Sequence, residues 1–105
     1  MVPKLIHWNP QWGRVCAEVM TRLLRTEGYA VSEYHYPPGT FFPLHHHAAD
    51  KKDTVLRGRQ RIAWEGGEAL LAPGDMIEIP AGVRHSAEVV GVETVVSLDA
   101  TKGGE

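Results

Sequence analysis

Turn-forming residues cut this chain at short intervals, and that punctuation confines most of it to a fold of short strands. From Tyr29 onward, Pro37-Pro38-Gly39, Gly66-Gly67, Pro73-Gly74 and Pro80-Ala81-Gly82 separate segments rich in Val, Ile, Tyr and Thr. Proline cannot donate the backbone hydrogen bond that helix interiors need, and glycine accepts the positive φ of tight turns, so no long helix fits between these points. The segments read as strands near 29–36, 40–47, 53–57, 59–64, 68–72, 75–79, 84–90 and 92–99. Gly66-Gly67, between Ile62-Ala63-Trp64 and Ala69-Leu70-Leu71, predicts a hairpin turn. Short strands at this spacing predict an all-β fold, an antiparallel sandwich or barrel.

Ahead of the strands the periodicity is helical. Asn9 is a candidate N-cap with Pro10 at the first helical position, and Gly28 stands where a left-handed residue would end the element, which predicts one N-terminal α-helix of about five turns. Trp12, Val15, Cys16, Val19 and Leu23, with Met20 or Leu24, recur at helical spacing, while Arg14, Glu18, Arg22 and Arg25 occupy the other face. Such a stripe must be covered, by the chain's own barrel or by a second subunit. Residues 1–28 are therefore expected as an N-terminal helical segment, 29–100 as the barrel and 101–105 as a frayed tail. Cys16 is the single cysteine, so no intramolecular disulfide can form, and its place in the stripe predicts a small buried thiol.

With 105 residues the chain has room for one small domain. The formal net charge of −2, with Lys and Arg scattered along the sequence, gives no basic stripe for a phosphate backbone, so nucleic acid is not an expected partner. No apolar run approaches the roughly 20 residues that span a bilayer, and the first residues lack the profile of a signal peptide. A cytoplasmic protein without a membrane partner is expected.

Two blocks carry the functional signal, Gly39-Thr-Phe-Phe-Pro-Leu-His45-His46-His47 and Gly74-Asp-Met-Ile-Glu-Ile-Pro80-Ala-Gly82-Val-Arg-His85. Side chains alternate along a strand, so His45 and His47 share a face and His46 points away. Two imidazoles make half a metal site. His85 supplies a third nitrogen if its strand faces the same cavity, and three neutral imidazoles can hold a divalent transition metal while leaving positions open for water or substrate. His7 and His35 have no partner in spacing and read as surface or hydrogen-bonded histidines.

From about Tyr34 to Leu98 the sequence resembles the cupin superfamily, small jelly-roll barrels with two motifs. In the first, Gly, five residues, His-x-His, three or four residues, Glu, six residues and Gly, the matching positions are Gly39, His45, His47 and Gly58, with Lys51 at the glutamate. In the second, Gly, five residues, Pro-x-Gly, two residues, His, three residues and Asn, they are Gly74, Pro80, Gly82 and His85, with Val89 at the asparagine. The resemblance implies a cupin-type antiparallel jelly-roll β-barrel with one N-terminal α-helix, and metal ligands at His45, His47 and His85. Zinc, iron, manganese, nickel and copper all suit such a donor set.

Lys51 removes the usual carboxylate and leaves the full double charge on a bound ion. Asp50 or Asp53 could supply a replacement oxygen, although Asp53 also suits a turn and Asp50 a solvent-facing loop. If Lys51 points inward it could anchor a substrate carboxylate or donate a proton, and if it bends outward it is a solvated loop lysine. Adjacent Lys52 and Asp53 favour the outward reading.

Counting by two from the ligands puts Phe41, Pro43, Ala87 and Val89 on the cavity face, so the pocket is expected to be small and mostly apolar, with Ile62, Trp64, Ile77 and Ile79 in the core. Tyr34 or Tyr36 could place a hydroxyl at the rim, and Arg84 is expected to be exposed. No serine or cysteine nucleophile sits in a strained turn, so any catalysis would be metal-centred. Cupins include dioxygenases, isomerases and lyases, and the alternatives are a non-catalytic barrel that binds or senses a small ligand or metal, or a purely structural interaction protein. Exposed strand edges and an amphipathic helix make a homodimer the expected assembly.

Overall fold

A computed structural model describes residues 2–102. Among the described residues nine strands form two antiparallel sheets that face one another. The first sheet has the order β1 (Lys4–Ile6), β7 (Met76–Ile79), β4 (Lys51–Thr54), β9 (Val95–Lys102), β2 (Tyr29–Tyr36), and the second β3 (Phe41–His45), β8 (His85–Val90), β5 (Arg59–Trp64), β6 (Gly67–Leu71). Consecutive strands mostly switch sheets, the arrangement of a jelly roll, and the two sheets do not close into one hydrogen-bonded cylinder. Among the described residues no helix is long and apolar enough to cross a membrane.

The expected strands form, Tyr29–Tyr36 and Arg59–Trp64 with the expected ends and the others shifted by one to three residues, and one was not foreseen. Lys4–Ile6 pairs antiparallel with β7, opposite Glu78, Ile77 and Met76, and becomes an edge of the first sheet. Three residues are too few for periodicity to mark a strand; their pairing with β7 defines it. Thr101 and Lys102, expected as tail, belong to β9 and pair with Ala30 and Tyr29 of β2, while the rest of that tail, residues 103–105, lies outside the described residues. In the β5–β6 hairpin the loop is Glu65-Gly66, and Gly67 already pairs with Trp64.

The single five-turn helix is replaced by two elements. Asn9 does cap, accepting the Gln11 N–H on its side chain at 2.9 Å, but the element it opens is a 3₁₀ turn over Pro10–Trp12. Gly13, at φ +83°, stops it in a backbone region that L-residues rarely adopt. The α-helix proper, α1, runs Ala17–Thr26 from an extended N-cap at Cys16, whose side chain makes no cap bond and is only partly buried. The stripe on α1 is then carried by Met20 and Leu24, at 0% and 1% exposure.

Alternation of side chains along the strands creates two separate cores. Between the sheets lie Val55, Ile62, Leu71, Ile77, Ile79, Val89 and Val95, with Trp64 packed at the margin. On the outer face of the first sheet, Met76, Leu98 and Ala100 meet Met20 and Leu24 of α1, so the helix covers its own domain. Burying each of these two helix side chains contributes about 1.5–3 kcal/mol. At one end of the inner faces the apolar residues give way to polar ones. On β4, Lys51 and Asp53 precede Val55, and on β9, Ser97, Asp99 and Thr101 follow Val95. That polar end holds the site.

Candidate metal centre

His45 and His85 are direct partners across the β3–β8 pair. Their ring centroids lie 4.4 Å apart, and His47 sits 4.9 Å from His45 and 5.4 Å from His85. One nitrogen from each of the three rings lies within 4.8 Å of the others, close enough for small ring rotations to bring all three onto one ion. His46 is exposed, as expected, although it lies past the end of β3 and not within an alternating strand.

The local chain explains this convergence. β3 carries one extra residue relative to β8, since Phe42 pairs with Ala87 but His45 pairs with His85. That bulge reverses the parity of the strand ahead of His45. Phe42 therefore lines the cavity, whereas Phe41, expected there with Pro43, turns out to solvent at 59% exposure. His47 lies beyond the end of β3 and is held by a different device, the Pro80-Ala81-Gly82 turn. Gly82, at φ +82°, donates its N–H to the His47 carbonyl at 2.9 Å, and Asp50 Oδ1 accepts the Ala81 N–H at 2.8 Å. The two histidine blocks are thus tied by backbone bonds, independently of any ion.

Two rings have their orientation fixed by backbone acceptors. The Nδ1 of His45 is 2.7 Å from the Pro43 carbonyl and that of His85 is 2.9 Å from the Val83 carbonyl. A carbonyl can only accept, so each Nδ1 carries the proton and each Nε2 keeps its lone pair, the form a metal requires. Burial lowers the pKa of His47, with further lowering from Lys51, His45 and His85 against a smaller raising effect of Asp99. Burial also lowers that of His85, opposed by its bond to Val83 and assisted by the positive charges of His45 and Lys51. Both rings are biased towards the neutral, ligating form, so the donor set fits a divalent transition metal.

Lys51 does not bend outward. Because β4 begins at Lys51 and not at Asp53, its side chain shares the inner face with Asp53, and only 8% of the residue is exposed. Its ammonium lies 2.7 Å from Asp99 Oδ1 and donates to Asp99 Oδ2 at 2.8 Å and to Thr101 Oγ1 at 3.0 Å. Neither aspartate considered as a replacement ligand joins the three imidazoles, since Asp50 braces the turn and Asp53 bonds Asp99. Burial, then the hydrogen bond and charge of Asp99, push the Asp53 carboxyl up to about 7 against the opposing pull of Lys51.

The cavity beside the histidines is about 160 Å³ and is lined by Tyr36, Phe42, Lys51, Asp53, Gln60, Ser97 and Asp99 as well as the three rings. The expectation of a mostly apolar pocket fails, because the cavity lies at the polar end of the inner faces and not over Ala87 and Val89, which are buried in the core. Gln60, Ser97 and Asp99 were not singled out from the sequence, although polar residues spaced by two on β9 were the signal for the last pair. Tyr36 does reach the site, packed edge-on against Phe42 at 5.0 Å, and burial raises its phenol to about 12. Arg84 is exposed, His7 bonds Asp75 at 2.8 Å, and His35 bonds Glu33 at 2.7 Å on the surface.

Comparison with known proteins agrees with this architecture. Residues 32–101 match the cupin domain family, and the chain belongs to it. Among solved structures, acireductone dioxygenase from Bacillus anthracis, with a cadmium ion in its active centre, superposes with a TM-score of 0.72 at 20% identity over 94% of this chain and 77% of that one. A cupin-2 domain protein from Shewanella frigidimarina gives 0.59 at 26% identity over 69% and 68%. In sequence, the HTH-type transcriptional activator RhaR of Pectobacterium carotovorum is 37% identical over 75 residues, covering 64% of this chain. The chain spans about a quarter (26%) of that relative's length.

Proposed function

We propose that this cupin domain holds a divalent transition metal on His45, His47 and His85 and acts on a small organic molecule in the adjoining cavity. The reading rests above all on the two backbone carbonyls that fix His45 and His85 with Nε2 unprotonated beside His47. When bound, the metal would supply Lewis-acid polarisation of a substrate oxygen, as an isomerase or lyase requires, or, if redox-active, the dioxygen activation of a dioxygenase. Phe42 and Tyr36 give the cavity aromatic lining, and Lys51 with Asp99 and Asp53 gives it a hydrogen-bonded polar wall. The likeness in fold to a dioxygenase with a cadmium ion in its active centre supports a metal-binding reading.

The second reading is a non-catalytic ligand sensor. It is favoured by the match to part of a transcriptional activator, in which a domain of this kind would report ligand binding to a DNA-binding partner domain. Elemental analysis of untagged protein, followed by substrate-dependent oxygen uptake, separates the two. A redox metal with turnover supports the enzyme, and zinc or nickel without turnover supports the sensor. Unchanged metal content in both His47→Ala and His85→Ala would refute the centre itself. A homodimer in the cytoplasm remains part of the proposal, and a monomeric mass in solution would remove the dimer.

A further inference from the structure

Gln60 places a buried amide on the cavity wall with nothing to bind it. The residue is 4% exposed, and its Oε1 is buried with no hydrogen-bond partner among the described residues. An unpaired buried carbonyl oxygen costs about 1–3 kcal/mol. Rotating the amide by half a turn only exchanges an unmet acceptor for an unmet donor. The neighbours do not answer it, because Lys51 is already committed to Asp99 and Thr101, and Asp53 to Asp99.

The same commitments decide what kind of ligand fits. Lys51 is the one lysine or arginine among the residues lining the cavity, and both oxygens of Asp99 lie against its ammonium, at 2.7 and 2.8 Å. The wall therefore offers no uncompensated positive charge to a ligand carboxylate. What it offers are hydrogen-bonding groups, the Gln60 amide with the hydroxyls of Ser97 and Tyr36. The volume of about 160 Å³ equals roughly five water molecules, room for a molecule of few heavy atoms.

We propose that this wall is a subsite for a small neutral polyol, with ligand hydroxyls bonding the Gln60 amide, Ser97 and Tyr36. The proposal rests on the reading of the cavity as a small-molecule site, but not on the metal. It names the substrate or effector class as a compact, uncharged, hydroxyl-bearing molecule, and it assigns Gln60 as the residue that selects it.

The test uses chelator-treated protein, so that it stands or falls apart from the histidine centre. Erythritol is titrated while the Gln60 side-chain amide resonances are followed by NMR, and the charged analogue erythronate is titrated in parallel. The expected result is a saturable shift of the Gln60 amide by erythritol, with binding weakened about tenfold in Gln60→Leu, the loss expected for one hydrogen bond. Gln60→Leu should itself melt no lower than the parent, since it removes an unpaired buried oxygen, and that keeps the comparison between folded proteins. No shift at about 100 mM erythritol, a level that would saturate a millimolar site, overturns the proposal. So does tighter binding of erythronate than of erythritol. Metal content is measured separately, and its absence with erythritol binding intact would remove the metal centre and leave the polyol subsite standing.

Discussion

Asp53→Asn should remove a pH dependence of stability that the buried carboxyl imposes. In the folded protein Asp53 gives up its proton at about 7, against 3.8 for an ordinary aspartate, because burial and the neighbouring Asp99 both oppose its charge. A carboxyl whose folded pKa lies above its unfolded value adds stability that is complete below the unfolded value and is lost as pH rises through the folded one. The difference of about three units corresponds to about 4 kcal/mol at most, lost at up to ~1.4 kcal/mol per pH unit between about pH 4 and 7. Water in the adjoining cavity should reduce this to about half, or ~2 kcal/mol. Asparagine copies the protonated acid, since its amide can still donate to Asp99, but it cannot ionise. Urea unfolding of chelated protein at a series of pH values should therefore show the parent losing about 2 kcal/mol relative to Asp53→Asn between pH ~4 and ~7.5, with the variant the more stable at the upper end. Chelation matters because a bound dication would draw the proton off Asp53 and flatten the difference. Parallel pH profiles for the two proteins would show that Asp53 ionises normally, and the account of the polar wall would fail with it.

The two buried lysines should respond oppositely to the same substitution. Lys51→Met strands Asp99 in the cavity wall beside Asp53 and should cost about 3–5 kcal/mol, whereas Lys52→Met should lie within ~1 kcal/mol of the parent, because its partners Glu27 and Glu78 are roughly half exposed and can rehydrate. Chemical denaturation of both variants at neutral pH checks the contrast. In chelated protein, NMR titration of the imidazoles should place the midpoints of His47 and His85 below the ordinary 6.5, and both should rise in Lys51→Met, since Lys51 is a cause of lowering for each. Leu24→Ala should cost about 2–5 kcal/mol in thermal or urea unfolding, because Leu24 is fully enclosed between α1 and the first sheet.

Turn chemistry carried most of the fold. Six of the nine strands take their bounds to within about two residues from Pro and Gly punctuation, because those residues set backbone dihedrals locally and tertiary contacts need not be known. What escaped was decided by tertiary pairing. Lys4–Ile6 is a strand only because β7 offers it an edge, and Thr101-Lys102 is ordered because β2 and β4 flank it. The helix was misread for a local reason. Asn9-Pro10 starts a 3₁₀ turn as readily as an α-helix, and Gly13, four residues on, marked the interruption that helical spacing across Trp12 and Val15 concealed.

At the site, the histidine triad was legible because spacing alone brings the three rings to one end of the strands, but the walls were not. Parity counted from His45 fails across a bulge, since one inserted residue exchanges Phe41 for Phe42, and Pro43, a residue that sheets tolerate at edges or bulges, was the one local signal of it. Lys51-Lys52-Asp53 failed for the opposite reason. Charged residues in succession read as a solvated loop, yet one face of this strand packs on α1 and the other closes the cavity, so both lysines are buried and paired with carboxylates. Burial of a charge is tolerated only with a partner, and the partners, Asp99 and Glu27, lie 48 and 25 residues away. The family position that usually carries a metal-binding glutamate is thus occupied by a cation that turns its charge to Asp99. An ion held by the three imidazoles would keep its double charge unneutralised by that residue, and hydroxyl oxygens of a neutral ligand could reach it without displacing a protein carboxylate.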